Sequence, residues 1–157
     1  MRQRTLGLAP LMLSVAIMGC GGGSSDGGRH ITWKDDGTSE KAIVTLAQRT
    51  MQGTSDYLNL LGTNSSVGIT IVVGATGRPL AAETFTCNQG TDQTITLTYS
   101  DADGGTLATT QSCTVVVTRP GTLNGASATG TFTAAFTLDG GGTKAITDGS
   151  FDVPIAM

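Results

Sequence analysis

Four stretches of this chain alternate, residue by residue, between apolar and hydroxyl-bearing side chains, and that period leaves little room for anything but β-structure. Val67, Ile69, Ile71 and Val73 fall on one side of the first stretch. In the second, Ile95, Leu97 and Tyr99 alternate with Thr94, Thr96 and Thr98 without a break. Cys113, Val115 and Val117 share a side in the third, and Phe132, Ala134, Phe136 and Leu138 in the fourth. A repeat of two with threonine on the wet face describes a half-buried strand in an antiparallel sheet. Turn-forming runs separate the stretches: Gly74–Pro79, Asp101–Gly105 and Asp139–Gly142, each rich in Gly or Asp.

Extending the pattern gives eight or nine strands, near 31–35, 42–49, 56–61, 67–73, 82–87, 93–100, 106–118, 129–138 and 143–153. The expected fold is therefore all-β, an antiparallel β-sandwich or barrel, with both closures open at this point. Segment Ser39–Met51 reads two ways. As a helix it has a Ser39 cap and Ile43/Ala47 and Leu46/Thr50 four apart. As a strand it sets Ala42, Val44 and Leu46 on one face, and the β-branched run Ile43, Val44, Thr45 favours the strand.

The N-terminus reads as an address. Arg2 and Arg4 form a short basic region ahead of an apolar stretch from Leu6 to Met18. That stretch is too short to span a bilayer of about 30 Å as a helix and fits a signal peptide. Ile17, Met18, Gly19 and Cys20 then resemble the bacterial lipobox. The resemblance implies cleavage before Cys20, a diacylglycerol on its sulfur and usually an acyl group on its new amine. Gly21 after the cysteine implies, in a Gram-negative organism, sorting to the outer membrane. Residues 1–19 are thus expected to be the signal peptide, 20–29 a lipidated Cys20 with a flexible Gly/Ser-rich tether, and 30–157 a single β domain. Two or more acyl chains hold a protein stably at a bilayer where one does not.

Of the 157 residues, cleavage before Cys20 leaves 138, enough for one domain with a real core. The whole chain carries nine Lys and Arg against twelve Asp and Glu; losing Arg2 and Arg4 takes the formal charge from −3 to −5. That balance argues against nucleic acid and against a polybasic membrane patch.

With Cys20 assigned to lipid, Cys87 and Cys113 remain, and an even pair in an exported domain is expected to form a disulfide. The pairing constrains topology. A hairpin centred on Asp103 sets Gln93 opposite Cys113, and a second centred on Gly90 sets Cys87 opposite Gln93. The cysteines would then lie two strands apart, about 9.5 Å, beyond the roughly 7 Å a disulfide allows. Strand 82–87 is therefore expected to leave the sheet of strand 93–100, or to bend at Asn88–Asp92.

No catalytic constellation and no metal or cofactor site stands out, and the chain is read as a non-enzyme. His30 is the single histidine and is expected to be a solvated residue at the tether's exit. Asp101 and Asp103 hint at a calcium loop but lack the further carboxylates of an EF-hand, so a turn is expected. Asp35–Gly37, Asp148–Gly149 and Asn64–Ser66 read as turns too. Trp33, the single tryptophan, is expected in the core rather than on a ligand-stacking surface.

Two groups of residues carry a family likeness. Thr84–Cys87, Ile95–Asp101 and Ser112–Val115 form one; Gly130–Ala134 and Ile146–Val153 form the other. Together they resemble small Gram-negative lipoproteins of unknown activity that end in a GTF(S/T)…IT(N/D)GxF hairpin. The resemblance covers about residues 84–153 and implies an exported β domain with no known activity. Few charged or titratable groups converge anywhere in the sequence, so the expected role at the cell envelope is binding, of an envelope protein or small ligand, or structural. Thr86–Gly90 followed by Ile95–Tyr99 is also similar to the membrane-bound C-type lysozyme inhibitors, which implies an alternative role in binding a periplasmic protein. Phe85 stands where those proteins carry Tyr, and their inhibitory loop has no counterpart here.

Overall fold

A computed structural model describes residues 29–88, 90–101, 109–122, 125–138 and 140–156. The expected signal peptide, Cys20 and its tether up to residue 28 lie outside the described residues, as does Asp103. Ten strands follow one another: β1 (His30–Asp35), β2 (Thr38–Lys41), β3 (Val44–Gln52), β4 (Ser55–Thr63), β5 (Val67–Ala75), β6 (Glu83–Thr86), β7 (Gln93–Asp101), β8 (Thr109–Arg119), β9 (Ser127–Thr137) and β10 (Thr143–Ala156). The described residues contain no helix, so the fold is all-β. The strand reading of 39–51 holds as well, with a break at Ala42–Ile43 that separates β2 from β3.

The strand added to the expected nine is β2. It is a polar four-residue edge that pairs only with β1. An edge strand with nothing to bury shows no alternation, so periodicity is blind to it. The turn before it was legible: Asp36 and Gly37 both take positive φ, 46° and 88°, as a two-residue hairpin needs.

One sheet runs β6-β8-β9-β10-β3-β4-β5-β7 and curls until its ends nearly meet, giving a barrel-like body. The seam between β7 and the β6–β8 end is bridged by side chains. Gln93 Nε2 donates to Glu83 Oε2 (3.0 Å) and the Thr84 carbonyl (3.4 Å), and Thr110 donates to the Leu97 carbonyl. The sheet is mixed rather than purely antiparallel. β10 pairs antiparallel with β9 and β1, but its tail, Ile155 and Ala156, pairs parallel with Ala47 and Gln48 of β3. β1 ends its contact at Asp152, which leaves the last turn of β10's edge open for β3.

The hairpin expected around Asp103 does not form: β7 pairs with β5, and β8 with β9 and β6. β6 forms no ladder with β7 and pairs with β8 instead, so the simple meander that the cysteine spacing excludes is absent, although the two strands still meet through side chains at the seam. Ala75 of β5 already faces Gln93, so β7 takes the place that a simple meander would give to β6.

A β-bulge decides how β10 packs. Ile146 pairs with Ala134 but Gly149 with Phe132, so one extra residue is inserted around Asp148, whose φ is 49°. Ile146 faces inward before the bulge and Phe151, Val153 and Ile155 after it, although their parity differs. The expected turn at Asp148–Gly149 is thus a bulge that flips the inward face without ending the strand.

The same hairpin explains its paired Gly and Phe residues. Gly130 faces Phe151 directly and Gly149 faces Phe132. Each ring lies over the opposite glycine: a Cβ on Gly130 would sit 2.5 Å from Phe151 Cζ and 2.1 Å from the Val116 carbonyl oxygen, and one on Gly149 2.5 Å from the Phe132 carbonyl oxygen. Gly130→Ala is expected to destabilise the domain by about 2–3 kcal/mol through overpacking. Gly140→Ala, where a Cβ meets nothing within 4 Å, is expected to be close to neutral. Urea titration that gave both variants the same midpoint would contradict this.

All four phenylalanines and Trp33 are buried, with Leu58, Leu60, Ile69, Ile71 and Leu97 filling the centre. Trp33 is a core residue, as expected. His30 is not a free linker residue; it opens β1, half-buried and opposite Asp152, because the ladder begins one residue after the tether. Val44 and Leu46 do share a face, but it points outward. The inward positions of β3 are Thr45, Ala47 and Arg49.

Candidate functional site

Polar side chains close the barrel at both ends. At the first end, Asp56 occupies an inward position of β4, in step with Leu58 and Leu60, and is 1% exposed. Its partner Arg49 lies on the inward face of the paired strand β3. Arg49 Nε donates to Asp56 Oδ1 at 2.9 Å, and Nη2 donates to Oδ2. Nη1 also donates to the Gly121 carbonyl and Nη2 to that of Leu80, and Asp56 Oδ2 accepts the Leu80 N–H at 2.9 Å. One ion pair thus ties the β3–β4 hairpin to the β5–β6 and β8–β9 connections. The Arg49 hydrogen bond holds the Asp56 carboxyl below its ordinary pKa, with the Leu80 N–H helping against burial.

At the other end, Tyr99 of β7 donates its hydroxyl proton to Asp35 Oδ2. Lys144 of β10 donates to the same oxygen at 3.0 Å and to the Tyr99 hydroxyl at 3.1 Å. Three strands that share no ladder with one another at this point, apart from β1 with β10, are joined through the interior. Burial, and then the Asp35 hydrogen bond, push the Tyr99 phenol up to about 12. The phenol stays protonated at neutral pH and donates to Asp35, so the cluster ties β1, β7 and β10 together.

This raised value carries a sign. Below pH 10 the unfolded and folded phenols are both protonated and the stabilisation is complete. It is lost as pH rises from about 10, where the unfolded chain ionises, to about 12. Tyr99→Phe is expected to remove the late phase of the alkaline phenolate absorbance titration. A titration unchanged by that substitution would contradict the assignment.

Cys87 and Cys113 are bonded. Their Cα atoms are 5.1 Å apart, and the Cys87 N–H donates to the Cys113 carbonyl at 3.1 Å, continuing the β6–β8 ladder. The bond therefore joins directly opposed residues of neighbouring strands, not strands two apart.

Among the described residues no group of three His, Cys, Asp or Glu is placed to hold a metal ion. The calcium-loop hint falls on Asp103, outside those residues. Asn64 accepts the Ser66 and Val67 N–H groups at 2.8 Å each, the turn expected there. Comparison with protein-family models, with curated proteins and with solved structures returned no match.

Two of the shallow surface grooves lie near the N-terminal strands. One, about 290 Å³, lies on β1 and β2 between Lys34, Glu40, Lys41 and Asp148. Lys34 and Asp148 are ion-paired across it at 2.8 Å. The other, about 300 Å³, follows the β3–β10 junction and is lined by Arg29, Thr45, Leu46, Pro154 and Ala156 among others.

Neither polar cluster was foreseen. Asp35 stands in a turn-like Asp–Asp–Gly run, and Arg49 and Asp56 belong to no motif. A signal for the Arg49–Asp56 pair is present in the sequence: Asp56 holds an inward parity position in step with Leu58 and Leu60. A carboxylate there needs a cation on the facing strand.

Proposed function

We propose that the protein is a lipid-anchored protein of the cell envelope, its barrel held at the membrane through Cys20 and serving a binding or structural role there, without catalysis. The carrying observation is the lipobox-like run Ile17–Cys20 in a chain whose other two cysteines are bonded to each other, which leaves Cys20 for acylation. A disulfide that closes a ladder between two strands also suits an oxidising compartment. Gly21 after the cysteine favours the outer membrane if the organism is Gram-negative. No helix among the described residues is long and apolar enough to cross a membrane.

Mass spectrometry of the protein from a membrane fraction tests this. The expected N-terminal peptide begins at Cys20 and carries the added mass of a diacylglycerol and usually one more acyl chain. Cys20→Ser is expected to release the protein from the membrane fraction. A chain that keeps Met1–Gly19, or an unmodified Cys20, would overturn the reading.

A further inference from the structure

We infer that the outer face of β3 around Ile43, Val44 and Leu46 rests on the lipid surface to which the chain is anchored. This deepens the lipid-anchor reading and rests on it.

Threonine and serine dominate the outward positions of β7 and β9, as Thr96, Ser100, Thr131 and Thr133 illustrate. The beginning of β3 departs from that rule. Ile43 is 77% exposed, Val44 57% and Leu46 45%. Leu46 pairs directly with Leu61 of β4, which is half-buried and extends the apolar strip sideways. The other exposed large apolar side chains, Met51 near the end of β3 and Val116 on β8, stand apart from these three; isolated ones need no explanation, whereas a run of neighbours does.

The position of the chain's approach says what covers it. Arg29, the last residue before β1, lines the same groove as Leu46. Nine Cα-to-Cα steps lead from Cys20 to Arg29. At 3.3–3.6 Å each they reach at most about 30 Å. A lipid on Cys20 therefore draws the barrel to the bilayer by the side that carries Arg29 and Leu46. A tethered surface meets its partner at high effective concentration, so a small apolar contact suffices. The mature formal charge of −5 offers no attraction to anionic headgroups. The contact is apolar, and zwitterionic lipid serves as the probe.

The test uses the full lipidated chain, recovered from membranes and placed in phosphatidylcholine vesicles with and without brominated acyl chains. Leu46→Trp puts a reporter on the strip. Thr84→Trp puts one at an exposed site on β6, four strands away across the barrel. Trp33 supplies the same buried background in both. The expected result is loss of emission in brominated vesicles for Leu46→Trp and none for Thr84→Trp. Equal quenching at both sites, or none at residue 46 in protein that floats with the vesicles, would overturn the docking and leave the anchor standing. Emission at residue 46 that changes only with protein density, without quenching, would assign the strip to a second copy and likewise overturn it. Protein that never floats with vesicles would overturn the anchor and the docking together.

Discussion

Asp56→Ala is expected to cost the domain about 3–5 kcal/mol, because it leaves the Arg49 guanidinium buried without a counter-charge. The Arg49 side chain is 12% exposed and that of Asp56 2%, so water cannot substitute for the lost partner. The Leu80 N–H loses its acceptor in the same step. Arg49→Met should cost a comparable amount by the reverse argument. The double variant should cost less than the sum, since neither charge is then stranded. Equilibrium urea unfolding of the two singles and the double measures the coupling. Additive losses would contradict a direct ion pair. Acid gives an independent reading. The Asp56 carboxyl is held below its unfolded value, so its stabilisation is complete above about pH 4 and is lost as pH falls through the folded pKa. Asp56→Asn is expected to flatten that part of the acid unfolding curve.

Removing the disulfide has the other large effect. The bond closes a loop of 26 residues. In the chain-entropy account a loop of this length contributes about 3.5 kcal/mol by restricting the unfolded chain. For a domain of this size that corresponds to a fall in Tm of about 10–15 °C. The Cys87→Ser/Cys113→Ser double variant, which leaves no free thiol at the site, is the suitable comparison in a thermal scan. A Tm within a degree or two of the parent would show that the bond adds nothing to the fold. The loop encloses β7, which pairs with β5 instead of with either bonded strand. The bond therefore holds β6 on β8 beside the barrel's seam, where Gln93 and Thr110 supply side-chain bridges in place of a ladder. Hydrogen exchange in β6 is expected to rise most in the double variant.

Part of this was legible in advance. The inward sets Ile69, Ile71, Val73 and Val115, Val117 and Phe132, Ala134, Phe136 are the core, because each strand needs only its own parity to hide one face. The cysteine spacing ruled out a simple meander, since two strands' separation exceeds the reach of a disulfide. Parity failed at β10, where the extra residue at Asp148 let Ile146 and Phe151 share the core. It also failed at β3, where apolar Val44 and Leu46 face outward and the inward place goes to Arg49.

The residue order alone thus determined a body of short strands with threonine outside, phenylalanine inside and two cysteines close together. Those properties depend on neighbours along one strand, or on covalent reach. The order of strands around the barrel, the parallel tail of β10 on β3 and the meeting of Tyr99, Asp35 and Lys144 were decided by the tertiary structure. Each requires knowing which edge remains open after the other strands have paired, and that is a property of the assembled sheet, not of any segment within it.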